Sequence, residues 1–130
     1  MCSSDLGMST SDAELMMAGA VQVVYGTSAG LASSTVETWS QDTGLSGEAE
    51  GFEGFGFSLA TADYDGNGYA DLAVGVPFED VDYYLAEGAV NVIYGASSGL
   101  TSANDDVFSQ SGDAVNGTPE SWDTFGWSVL

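Results

Sequence analysis

Five residues in one short stretch, Asp63, Asp65, Asn67, Tyr69 and Asp71, offer the oxygen atoms that a hard cation requires. Ca²⁺ takes about six to eight oxygens, with carboxylates mixed with carbonyls. In Asp63-Tyr64-Asp65-Gly66-Asn67-Gly68-Tyr69-Ala70-Asp71, side-chain oxygens stand at the first, third, fifth and ninth positions. The main-chain carbonyl of Tyr69 is the natural ligand at the seventh. Gly66 and Gly68 permit the positive φ values of a tight turn that aims alternate side chains inward. An EF-hand would place a bidentate Glu at the twelfth position, which here is Val74. Leu72-Ala73-Val74-Gly75-Val76 is an apolar run suited to a buried strand and not to a helix. The stretch therefore predicts a calcium loop between two β-strands. The competing reading, a solvated acidic turn, has to produce the ligand spacing, both glycines and the strand by coincidence.

The elements that must hold this loop recur along the chain. Gly19-Ala-Val-Gln-Val-Val-Tyr-Gly-Thr-Ser-Ala-Gly-Leu31 returns as Gly88-Ala-Val-Asn-Val-Ile-Tyr-Gly-Ala-Ser-Ser-Gly-Leu100, with nine of the thirteen residues identical. Trp39-Ser40-Gln41 matches Phe108-Ser109-Gln110, and Phe55-Gly56-Phe57-Ser58-Leu59 matches Phe125-Gly126-Trp127-Ser128-Val129. Internal repetition at a fixed period marks a repeat architecture. One unit reads as four short strands: Phe55 to Ala62, Asp71 to Val76, Ala89 to Tyr94 with Val90, Val92 and Tyr94 on one side, and Asp106 to Gln110 outermost. Gly, Ser, Asn and Asp clusters between them are turn chemistry, with Gly95 to Gly99 forming one loop. Residues 11–17 are expected as loop. Four strands per unit predict an all-β fold, a fragment of a β-propeller with about two four-stranded blades. Repeated sandwiches are the alternative.

Composition bounds the partners. The 130 residues include 20 Asp and Glu and no Lys, Arg or His, a formal charge of −20. No side-chain salt bridge can form, so each carboxylate relies on water, salt or a bound cation. Nucleic acid and anionic membrane surfaces are excluded as partners on electrostatic grounds. A hydrophobic share of 44% with 12% aromatics supplies a packed core, which argues against disorder. The single cysteine, Cys2, has no partner for an internal disulfide. Residues 1–7 resemble the translation of a sequencing-adapter tail, the alternative being a disordered tip. Residues 8–50 then form the back half of one blade, 51–120 a complete blade, and 121–130 the first strand of the next. Both ends look cut, so the remaining blades are expected in the same full-length chain.

Phe55-Gly56, Ser58-Leu59-Ala60, the loop, and Asp71-Leu72-Ala73-Val74-Gly75-Val76-Pro77 together resemble the FG-GAP repeat, which builds the seven-bladed propeller of integrin α chains and of many secreted microbial proteins. Val76 departs from the Ala often found there. The resemblance implies that Asp63, Asp65, Asn67, Tyr69 (by its carbonyl) and Asp71 bind Ca²⁺. It implies that Phe55 and Gly56 lie near the propeller axis, where glycine lets blades approach. It also implies a non-enzymatic, secreted or cell-surface module for binding a protein or glycan, with adhesion as the integrin-like role. Two alternatives stand beside it: an accessory propeller of a secreted hydrolase, and a purely structural surface repeat. The loop Phe78, Glu79, Asp80, Asp82, Tyr83, Tyr84 corresponds to a ligand-facing loop of integrins, though tyrosines that cover a blade edge explain it as well. Trp39, Phe108, Trp122 and Trp127 suggest a sugar platform, but the repeat pairs Trp39 with Phe108 and Phe57 with Trp127, which favours packing between blades.

Overall fold

The computed structural model describes residues 2–5, 18–47, 50–81, 84–112 and 115–129. The expected loop at residues 11–17 lies outside them. Seven strands run in chain order: β1 (Cys2–Asp5), β2 (Ala20–Thr27), β3 (Gly30–Trp39), β4 (Ser58–Ala62), β5 (Asp71–Val76), β6 (Ala89–Ala96) and β7 (Gly99–Phe108). They form a three-stranded sheet, β1-β2-β3, and a four-stranded sheet, β4-β5-β6-β7, with every pairing antiparallel. This is the all-β meander of a propeller fragment. Among the described residues the helical elements reduce to one 3₁₀ turn, Gln41–Thr43. None is long and apolar enough to cross a membrane.

The two sheets repeat each other in detail. In both, a two-residue turn closes the outer hairpin, at Thr27↔Gly30 and at Ala96↔Gly99. Both hairpins carry a register shift, between Val24 and Gly26 and between Val92 and Tyr94. The Tyr hydroxyl beside each shift donates across the hairpin: Tyr25 to Glu37 Oε2 at 2.8 Å and Tyr94 to Asp106 Oδ2 at 2.7 Å. Bonding to Asp106 favours the neutral phenol, with some help from burial, and raises the Tyr94 pKa to about 12.

Two strand starts, one strand face and the N-terminal segment differ from the sequence reading. β4 begins at Ser58 because Phe55, Gly56 and Phe57 serve a turn and a seam between units. β7 begins at Gly99 and not at Asp106, since the turn needs only Ser97 and Ser98. The side of β6 away from Val90, Val92 and Tyr94 is the deeper one: Ile93 is fully buried and Asn91 nearly so, its amide donating to Ser46 O at 3.0 Å. Cys2–Asp5, read from sequence as a tip outside the fold, pair with β2 from Cys2↔Val23 to Asp5↔Ala20. They occupy the side of β2 that β5 occupies beside β6, where an open strand edge offers unpaired N–H and C=O groups to an extended segment.

One core joins the sheets. Val21, Val23 and Trp39 of the first pack with Leu72, Val74, Val76 and Ile93 of the second, and Leu45 and Phe55 join them from the connection between the sheets. β5 is buried along its whole length, as the run Leu72 to Val76 requires. The Phe-Gly pairs make the seams. Phe55 N donates to Ala18 O at 2.8 Å and Phe125 N to Glu87 O at 2.7 Å, each linking one unit to the start of the third strand before it. Phe57 and Trp127, equivalent in the repeat, are in ring contact at 4.5 Å between centroids, and Phe78 meets both edge-on at 6.0 Å. Trp39 is buried and Trp127 packs on its neighbours, as the repeat pairing predicts, while Trp122 is 69% exposed.

Candidate metal centre

The loop between β4 and β5 opens at Asp63, directly after β4 ends at Ala62, and closes at Asp71, the first residue of β5. Ala62 pairs with Asp71, so the ladder brings the two ends of the loop together. Gly66 at φ 77° and Gly68 at φ 91° make the reversal in the left-handed region that a side chain resists. One ligand atom each from Asp63, Asp65 and Asp71 falls within 4.8 Å of the others.

Backbone donors pre-form this arrangement. Asp63 Oδ1 accepts from Gly66 N at 2.8 Å and Asn67 N at 3.1 Å, and its Oδ2 accepts from Gly68 N at 2.9 Å. Asp65 Oδ1 accepts from Asn67 N at 3.1 Å. Asp71 is 1% exposed; its Oδ2 accepts from Tyr64 N at 2.6 Å and Asp65 N at 3.3 Å, and its Oδ1 from Gly95 N at 2.8 Å on β6. Asn67 Nδ2 donates to Asp65 Oδ2 at 3.2 Å and to Gly95 O at 2.9 Å. Its Oδ1 accepts from Tyr69 N at 2.8 Å, while the Tyr69 ring faces solvent. Three of the five expected residues thus converge through side-chain oxygens. Asn67 and Tyr69 sit in the same turn, with Asn67 tied to β6.

The donor set fits a hard cation: oxygens only, in a chain that has no cationic side chain to neutralise them. Two carboxylates at this separation repel by about 1 kcal/mol in water and about 3–4 kcal/mol at a protein surface. A divalent ion reverses the sign of that term. Gly95 is part of the fit, because a Cβ there would stand 2.2 Å from Ala70 O and 3.2 Å from Tyr69 Cβ. Gly95→Ala is expected to push the end of the loop off β6 and to cost about 2–3 kcal/mol, as overpacking does. Chemical denaturation read by fluorescence checks this, and an unchanged midpoint would contradict it.

A second group was not singled out from sequence. Gln41 and Glu53 are buried, and Gln41 Nε2 donates to Glu79 Oε2 at 2.6 Å. Burial raises Glu53 to about 8, against one backbone bond from Glu50 and with repulsion from Glu79, Glu50 and Asp80. Burial likewise raises Glu79 to about 7. The available signal was the repeated Trp-Ser-Gln and Phe-Ser-Gln, which places Gln41 and Gln110 equivalently. Acids whose folded pKa lies above the unfolded value bind more protons when folded, so their stabilisation is complete below the unfolded pKa near 4.5 and is lost as pH rises to about 8. In chelator, the melting temperature difference between wild type and Glu53→Gln is expected to shift against wild type from pH 5 to pH 8; a pH-independent difference would refute the assignment.

Fold and loop define a β-propeller segment built of repeated blades with an acidic loop between the first two strands of the complete sheet. Residues 55–99 match the FG-GAP repeat model, and the chain carries an FG-GAP repeat. Over 115 residues it is 30% identical to the phosphatidylinositol-glycan-specific phospholipase D of Rattus norvegicus and to that of Mus musculus. Each match covers 86% of this chain and 12% of the relative, so the chain spans about an eighth of the length of those proteins.

Proposed function

We propose that the chain is a non-enzymatic, calcium-stabilised portion of an extracellular β-propeller that binds a protein or glycan ligand, with cell adhesion as the integrin-like role. The observation that carries this reading is the convergence of Asp63, Asp65 and Asp71 oxygens within 4.8 Å on a loop matched to the FG-GAP repeat. Asp63, Asp65, Asn67, the Tyr69 carbonyl and Asp71 are the ligands, and water completes the shell. The role of the ion is structural: it cross-links β4 to β5 through the loop and, through Asp71 and Asn67, to Gly95 of β6. Extracellular modules of this type hold Ca²⁺ with Kd of about 10⁻⁴ to 10⁻³ M, which suits a secreted or cell-surface setting.

Thermal melts in Ca²⁺ and in chelator test the reading. At a Ca²⁺ concentration about ten times Kd the gain is about 1.4 kcal/mol, or about 5 °C in melting temperature for a chain of this size. Superimposable curves would sink it.

A second reading draws on the similarity to the two phospholipase D proteins: this segment is an accessory propeller of a secreted hydrolase. The segment lacks His, Lys and Arg, so the catalytic groups would belong to another part of such a protein. Assay of the full-length protein against glycosyl-phosphatidylinositol lipid, with and without these blades, separates the two. Hydrolysis supports the second reading; ligand capture without hydrolysis supports the first.

A further inference from the structure

The joint between the two sheets contains a second group of oxygens, at the end of β5 opposite Asp71. Gln41, on the 3₁₀ turn after β3, and Glu53, just before the Phe55-Gly56 seam, are 6% and 2% exposed. Gln41 Nε2 donates to Glu79 Oε2 at 2.6 Å, and Glu53 O accepts from Phe78 N at 3.1 Å, which brings the Glu53 segment alongside Glu79. Gln41 Oε1 and Glu53 Oε1 are buried with no donor. A buried acceptor without a donor is costly, and native structures pair nearly all of them with protein, water or an ion. The charged groups that act on Glu53, those of Glu79, Glu50 and Asp80, are themselves carboxyls, Gln41 meets Glu79, and the sequence holds no Lys, Arg or His to supply a cationic donor.

We propose that this joint is a second cation site, in which Glu53, Glu79 and the side-chain carbonyl of Gln41 bind a hard divalent cation of the Ca²⁺ type. Carboxylates combined with an amide carbonyl are a ligand set such ions accept, and water supplies the remaining positions. Glu53 is also among the residues that line a groove of about 460 Å³ with Phe52, Phe78 and Trp122, so the joint lies next to space open to solvent. The ion would tie the 3₁₀ turn after β3 to the segment after β5, so it would set the spacing of successive blades. The site is independent of the loop from Asp63 to Asp71.

Calorimetric titration of the chain with Ca²⁺ at neutral pH, for wild type, the double variant Asp63→Asn/Asp65→Asn, and Glu79→Gln, tests the assignment. The expected result is about two equivalents bound by wild type, about one by the loop variant and about one by Glu79→Gln. If wild type and the loop variant each bind one equivalent and Glu79→Gln binds none, the joint stands and the loop reading fails. A Glu79→Gln titration that matches wild type, or a loop variant that binds no Ca²⁺, overturns the proposal. Glu53→Gln, with circular dichroism to establish folding, serves as the second neutral variant and is expected to lose the same equivalent.

Discussion

Asp71→Ala is expected to lower the stability of the chain by about 4 kcal/mol. The side chain is buried and accepts hydrogen bonds from Tyr64 N at 2.6 Å, Asp65 N at 3.3 Å and Gly95 N at 2.8 Å. Hydrogen bonds to a charged group contribute about 1.5–3 kcal/mol each, and a buried donor left without an acceptor costs about 1–3 kcal/mol. Gly95 is the critical one, since its N–H lies in the interior of the sheet beside the hairpin shift of β6. Asp71→Asn keeps one carbonyl acceptor and is expected to lose about half as much. Urea unfolding in chelator measures both without any contribution from a metal. A loss under about 0.5 kcal/mol for Asp71→Ala would mean that the loop does not depend on this residue.

Gly88→Ala is the second large effect. Gly88 holds φ 87°, and a Cβ there would lie 2.2 Å from Phe125 O, 2.4 Å from Phe125 N and 2.8 Å from Thr124 C. All three are backbone atoms, so no side-chain rotation relieves the overlap. Gly88 also forms a bridge with Phe125, and Glu87 O beside it accepts from Phe125 N. The seam between units therefore has to open, at a cost of more than about 3 kcal/mol. Gly66→Ala is the control. Its φ of 77° is similar, but a Cβ would meet nothing within 4 Å, so only the left-handed backbone cost of about 1–2 kcal/mol applies. Differential scanning calorimetry separates the pair; equal losses would show that conformation, and not the close approach of two blades, explains the glycine at the seam.

Those two residues also show what the sequence made legible. Asp71 to Val76 is apolar on both faces after its first residue, and β5 has those bounds because a strand buried on both faces needs no alternation. The loop was readable because its ligands are close in sequence and its glycines fall between them. Gly88 was readable as a repeat position, but its reason for being glycine was not: the obstructing atoms belong to Phe125, far along the chain. The same holds for Gly95 against Ala70 O. Gln41 and Glu53 lie at opposite ends of the long β3–β4 connection and Glu79 lies in the β5–β6 connection, and only the register of the two units brings them together. The start of β7 escaped because Gly99-Leu100-Thr101 lack strand-like alternation and are held instead by pairing with Tyr94, Gly95 and Ala96.

The claim on which the rest depends is that the loop from Asp63 to Asp71 binds calcium. Amide NMR during a Ca²⁺ titration into the millimolar range tests it at the atoms concerned. The predicted result is saturable shifts of the Gly66, Asn67 and Gly68 amides, which donate to Asp63 and Asp65, together with Gly95, which reports on Asp71. These shifts vanish in Asp63→Asn/Asp65→Asn. Amides of the loop that stay unmoved through that range would contradict the account.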